Sequence, residues 1–158
     1  MTFSLAGRCE RTGAVGAVIA SASMAVAARC VAVRAGVGAV CSQSTTDPRL
    51  RGALLEAMAG GLAASAALAA VVGRAPDIAY RQLATVDAAG GSGSYSGADC
   101  HASRRHRHAR RGDHGTDRPG AFTAAHPRER HGFTATTVTS TSHSGRASAD
   151  TTRPVNTG

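Results

Sequence analysis

Apolar positions fall in blocks along the first 97 residues, and the spacing within the blocks changes from strand-like to helical and back. Thr2 to Gly7 is a short run closed by a polar turn, Arg8-Cys9-Glu10-Arg11-Thr12-Gly13. Val15 to Ser21 resumes as Val, Ile and Ala, the pattern of a strand covered on both faces. Two such runs joined by a polar turn predict an antiparallel hairpin. Val31 to Cys41 predicts a third strand, with Gly36 and Gly38 permitting a bulge or close backbone approach. The spacing then turns helical. Thr45-Thr46-Asp47-Pro48 supplies a capping oxygen and a proline where its missing N–H costs nothing, and Leu50, Leu54, Ala57, Met58 and Leu62 follow as one stripe. Gly60-Gly61 ends that helix. Ser65, Leu68, Ala69 and Val72 mark a second one, stopped by Gly73 and Pro76. Tyr80 to Asp87 reads as a fourth strand, Ala88 to Gly93 as a glycine-rich turn, and Ser94-Tyr95-Ser96 as the start of a fifth. Strands on either side of a helix pair predict a layered α+β fold rather than an alternating parallel one.

The pattern breaks near residue 98. Every Leu, Ile and Met precedes Ala98, and beyond it the larger apolar side chains are Phe122, Phe133, Val138 and Val155. Such a segment buries too little surface to offset chain entropy, so residues 98–158 are expected to form a disordered tail, with a weakly β-prone stretch at Thr134 to Thr141. Charge divides at the same place. Residues 1–97 hold eight Arg against five acids, whereas 98–158 hold ten Arg against five acids and all seven His. The whole chain carries +8 and has no Lys. The folded unit is therefore expected at residues 1–97, and the basic surplus mainly in the tail.

That surplus changes the functional picture less than its size suggests. Arg104 to Arg111 would neutralise phosphates by counterion release, giving weak, salt-sensitive, non-specific nucleic-acid binding. No aromatic residue interleaves with the arginines, so bases have no stacking platform. Cys100, His101, His106, His108 and His114 are metal-ligand types, but their spacing fits no tetrahedral template, and the sequence calls for no metal and no cofactor. Cys9, Cys30, Cys41 and Cys100 form no C-x-x-C pair, which predicts free thiols in a reduced, cytoplasmic setting. Arg8 and Arg11 ahead of Ala14 to Ala20 and Ala25-Val26-Ala27 imitate a secretory signal, but Glu10 interrupts the basic region and the apolar stretch is short. No membrane span is expected, because Arg29 and Arg34 break any window of about 20 residues. Neither a partner nor an oligomeric state can be read from the sequence.

Several segments together resemble one family. They are Thr2-Phe3-Ser4-Leu5-Ala6-Gly7-Arg8, Thr12-Gly13 with Gly16, Val18-Ile19-Ala20-Ser21, Arg34 to Val40, Gln43, Thr46 to Leu50, Tyr80-Arg81-Gln82-Leu83, Val86-Asp87 and Tyr95-Ser96-Gly97-Ala98. In combination they are similar to domain of unknown function 1028, which is grouped with the N-terminal nucleophile (Ntn) hydrolases. The resemblance implies an αββα sandwich, here incomplete because it stops at about Ala98. The family brings no established activity with it.

Resemblance to a family grouped with that superfamily focuses attention on Thr2. Removal of the initiator Met, usual before a small residue, would leave Thr2 with a free α-amino group of pKa near 8 to accept its own hydroxyl proton. Thr2 Oγ would then attack an amide carbonyl. Arg34 is the candidate cation that depresses the amine pKa, and backbone N–H groups of the Gly36/Gly38 stretch are candidate oxyanion donors. A reading-frame change near codons 98 to 101 in GC-rich DNA would account together for the lost resemblance, the clustered His and the missing core. On that reading this chain is truncated and inactive, and the hydrolase is an intact relative.

Overall fold

The computed structural model describes residues 2–100, 105–109 and 133–140; for the last two segments the description is of the backbone. It consists of two four-stranded antiparallel sheets packed face to face, with helices on one outer side. Strands β1 (Thr2–Cys9) and β2 (Val15–Ser21) form the expected hairpin, turning at Gly13 with φ 70°. A five-residue helix, α1 (Val26–Cys30), leads into β3 (Val31–Arg34) and β4 (Gly38–Ser44). Helices α2 (Pro48–Ala59) and α3 (Ala64–Val72) follow, then a 3-10 turn (Ile78–Tyr80), β5 (Arg81–Asp87), β6 (Ser92–Ser96), β7 (Arg105–Ala109) and β8 (Phe133–Ser140). The first sheet runs β2-β1-β8-β7 and the second β3-β4-β5-β6.

The helices form because their ends are satisfied. Asp47 caps α2 by accepting from the backbone N–H of Arg49 at 3.0 Å, with Pro48 in the first turn. The start of α3 is capped from a distance, since Asp87 Oδ2 at the end of β5 accepts from Ala64 N at 2.8 Å. Its Oδ1 accepts from Ala89 N and Gly91 N, at 3.0 and 2.7 Å, so one buried carboxylate joins helix, strand and turn. Both helices pack on the second sheet. Leu50, Leu54, Leu55 and Met58 of α2 and Ala64, Ala67, Leu68 and Val71 of α3 close over Val40 and Leu83. Leu62 belongs to the expected stripe but lies beyond the last turn of α2 and is exposed.

Two expectations are corrected. Val31 to Cys41 is not one strand but a hairpin, because Gly36 adopts φ 72° and turns the chain between β3 and β4. Gly38 makes the close approach: a Cβ there would collide with the Val86 carbonyl oxygen and meet Met58 Cε at 3.1 Å. Val15 to Ser21 is not covered on both faces. It is an edge strand whose positions alternate between half-buried and exposed, with Val18 58% exposed.

Most of the expected tail lies outside the described residues. Two segments within it, Arg105–Ala109 and Phe133–Ser140, are strands; the second coincides with the β-prone stretch and pairs with β1 along its full length. No helix among the described residues is long and apolar enough to cross a membrane.

Candidate active site

The layer between the two sheets differs from the layer under the helices. Its apolar members are small: Ala6, Ala39, Cys41, Ala84 and Val86, with Val15, Ala17 and Val31 at the margin. Because side chains alternate along a strand, Thr2, Ser4, Ala6 and Arg8 share the face of β1 that looks toward the second sheet. Ser4 fixes that orientation by donating to Gln43 Oε1 of β4 at 2.8 Å. Gln43 Nε2 donates to Gln82 Oε1 of β5 at 3.3 Å, and Gln82 Nε2 donates to Ser96 Oγ of β6 at 3.0 Å. Both glutamines are about 1% exposed. A polar chain thus crosses the interior from the first sheet to the far edge of the second. Buried amides are tolerated there because their donors and acceptors are paired.

Thr2 stands at one end of this layer. It is the first residue of β1 and pairs in register with Ser21, the last of β2. The Thr2 Oγ1 and Ser21 Oγ hydroxyls are 3.0 Å apart, a hydrogen bond in which either can donate. Thr2 is half-buried, two positions outward from Ser4 and its glutamine chain. A nucleophilic hydroxyl needs a hydrogen-bonding neighbour to orient it, and Ser21 is such a neighbour.

Arg34 is not brought to Thr2. It lies on the helix side of the second sheet, where its guanidinium meets Glu56 of α2 at 2.6 Å. It is also at the wrong end. Ser4 contacts Gln43 at the Thr2 end, whereas Arg8 Nε donates to the Ala88 carbonyl at 2.6 Å at the other, and the row Arg34, Gly38 and Asp87 lies at the Ala88 end. The Gly36/Gly38 turn sits at that end too, so its N–H groups do not face Thr2. Register across two sheets decided both positions, and one-dimensional spacing does not contain it.

Gln43 and Gln82 are the residues the functional reading missed. Their signal is visible afterward as a polar residue closing an alternating small series: Ala39, Cys41, Gln43 on β4 and Gln82, Ala84, Val86 on β5. The cysteines are all free. Burial pushes the Cys41 thiol up to about 12, against a smaller opposing effect of its hydrogen bond with Ser4, so it is held protonated and inert. Cys9 is shifted the other way, by the Thr12 side chain first, but it sits at the hairpin turn. Cys100 is buried, with Sγ 3.1 Å from the Arg81 carbonyl. The histidines considered with it as metal ligands lie outside the residues whose side chains are described. Among the described residues no three His, Cys, Asp or Glu side chains converge as a metal site.

Comparison with known proteins places this arrangement. The family of unknown function DUF1028 matches residues 2–114. The chain belongs to the DUF1028 family. The match runs past Ala98 and includes β7. A crystal structure of a DUF1028 protein from Silicibacter pomeroyi superposes with a TM-score of 0.66 at 20% identity, covering 86% of this chain and 51% of that one. At that identity the likeness concerns the fold. The chain spans about half the length of this DUF1028 relative. No curated protein matches.

Proposed function

We propose that DUF1028 proteins of the kind represented here are Ntn-hydrolase-like amide hydrolases, with Thr2 as the nucleophile once Met1 is removed. The observation that carries this reading is the Thr2 hydroxyl at one end of the inter-sheet layer, 3.0 Å from Ser21 Oγ. In the proposed reaction the Thr2 α-amine takes the Oγ1 proton as Oγ1 attacks the amide carbonyl, and that proton passes to the departing amine. Water then hydrolyses the ester and restores the hydroxyl. Ser21 orients Oγ1. Neither Arg34 nor the Gly36/Gly38 turn has a part, because both lie at the other end of the sheet from Thr2.

On this reading the reaction is that of the full-length relatives, and the present chain, working in a reduced cytoplasm, is inactive by itself. A β-lactone probe, read by peptide mass spectrometry, tests it. A full-length DUF1028 protein with its initiator Met removed is expected to be acylated on the residue aligned with Thr2, and substitution of that residue by Ala to abolish the mass increase. The chain described here should react far more slowly. An unreactive full-length protein, or equal reaction of the Ala variant, overturns the proposal. Determining the coding DNA across codons 90 to 158 tests the associated reading-frame account: an alternative frame rich in Leu and Val supports it, and a single open frame overturns it.

A further inference from the structure

The turn that leaves β2 is held by side chains rather than by its own backbone. Residues 22–25, Ala-Ser-Met-Ala, include no glycine or proline, and all four are exposed. Ala25 has φ 51°, a left-handed conformation that a residue with a Cβ keeps only where its surroundings hold it. Helix α1 follows with no side-chain cap. The contacts on this segment come from Arg29, in the last turn of α1. Its Nη2 donates to Ser23 Oγ at 2.8 Å and to the Met24 carbonyl at 3.2 Å, reaching back along the helix to the turn in front of it. The next residue, Cys30, is buried, with Sγ 3.4 Å from Thr46 Oγ1, and leads directly into β3. Arg29 therefore ties the exit of β2 on the first sheet to the entry of β3 on the second.

The same turn carries the partner of Thr2. Ser21 Oγ accepts from the Ser23 N–H at 3.2 Å and meets Thr2 Oγ1 at 3.0 Å. Ser23 is thus held twice, by Arg29 through its hydroxyl and by Ser21 through its amide. A hydroxyl has one proton to give and two lone pairs to share. The Ser23 N–H takes one lone pair of Ser21 Oγ and leaves the Ser21 proton available to Thr2 Oγ1. We propose that Arg29 is a positioning residue of the Thr2 site. It fixes the Ser21–Ala25 turn so that Ser21 donates to Thr2 Oγ1 and the Thr2 hydroxyl proton is left to the α-amine. The inference rests on the reading of Thr2 as the nucleophile and adds a residue to it. Arg29 does not touch the reacting atoms; it acts through Ser23 and Ser21. Unlike Arg34 and Arg49, it meets no carboxylate among the described residues, so its hydrogen bonds to the turn are what fix it. With the turn released, Ser21 Oγ regains a lone pair and the Thr2 side chain is free to rotate.

Side-chain NMR on the isotope-labelled full 158-residue chain tests the inference. Couplings from Thr2 Cγ2 to the backbone nitrogen and carbonyl carbon report its χ1 rotamer. A single staggered rotamer is expected in the wild type. Arg29→Ala should spread Thr2 over more than one rotamer and lower the order of its methyl group. Ser23→Ala should do the same to a lesser degree, because the Met24 carbonyl contact of Arg29 remains. Arg29→Lys, which keeps a cationic donor, should restore most of the wild-type order. Melting temperature and the protection of β1–β2 amides should stay unchanged throughout, which separates positioning of Thr2 from loosening of the hairpin. The readout does not require Thr2 to react, so failure of the nucleophile reading in the β-lactone experiment is distinguishable from failure of this one. Three results overturn the inference: a wild-type Thr2 already averaged over rotamers, a single rotamer kept in both Arg29→Ala and Ser23→Ala, or order lost only together with β1–β2 protection.

Discussion

The two faces of the second sheet are built from different materials. On the helix side, Leu50, Leu54, Leu55, Met58, Leu68 and Val71 fill the space over Val40 and Leu83, a large-residue apolar core. On the other side, alanines and a buried thiol surround the Ser4–Gln43–Gln82–Ser96 chain. Burial of large aliphatic side chains, about 1.5–3 kcal/mol each, concentrates stability under the helices. The inter-sheet layer gains less from burial. Its hydrogen bonds instead hold polar groups in fixed places, and one end of it carries Thr2. One sheet thus separates a core of large aliphatic side chains from a layer of small and polar ones.

Substitutions on each face can break or sharpen that contrast. Leu54→Ala should cost most, about 3 kcal/mol, because Leu54 is 0% exposed in the helix layer; urea unfolding reads it as a lower midpoint with an unchanged slope. Asp87→Ala removes the acceptor of three backbone N–H groups and frees the start of α3, so a loss of about 2 kcal/mol is expected in the same assay. Gln82→Leu interrupts the polar chain by removing the acceptor of Gln43 Nε2 and the donor to Ser96 Oγ, at about 1–2 kcal/mol. A cost as large as that of Leu54→Ala would mean that the inter-sheet layer holds the fold equally.

Smaller effects test the margins. The Arg49 guanidinium beside Asp47 holds that carboxyl down to about 2, against an ordinary 3.8. A carboxyl depressed in the folded state contributes stability above its ordinary value and loses it as pH falls through about 2. Thermal melts between pH 5 and pH 2 should therefore fall more steeply for the wild type than for Asp47→Ala, which at pH 7 lacks the cap at a cost of about 1 kcal/mol. Thr2→Ala should be nearly neutral in stability, within about 0.5 kcal/mol, since Thr2 is half-buried at a strand end. A marked loss would make Thr2 a structural residue.

How far these features could be read beforehand depended on whether their causes are local. The β1–β2 hairpin, the cap at Asp47 and the stripe Leu50, Leu54, Met58 were legible, because alternation, capping oxygens and helical spacing act within a few residues. The β3–β4 hairpin was not, since a single Gly36 serves a bulge and a turn equally until its φ is known. Helix α1 was also missed; it is short, begins after Ala25 in a left-handed conformation, and has no side-chain cap. At the site, Thr2 was legible as a chemical type. Ser21 as its neighbour, Gln43 and Gln82 as a buried pair, and Arg34 as a partner of Glu56 depend on pairings between residues 19 to 39 positions apart.

Native-state hydrogen exchange on dilute protein tests the division between the layers most directly, because it reads the opening free energy of each element in one experiment. The account predicts that amides of β4, β5, α2 and α3 exchange slowest, by global unfolding, while those joining β1 and β2 open earlier. Equal protection of β1–β2 and β4–β5 would show a single cooperative unit and contradict it.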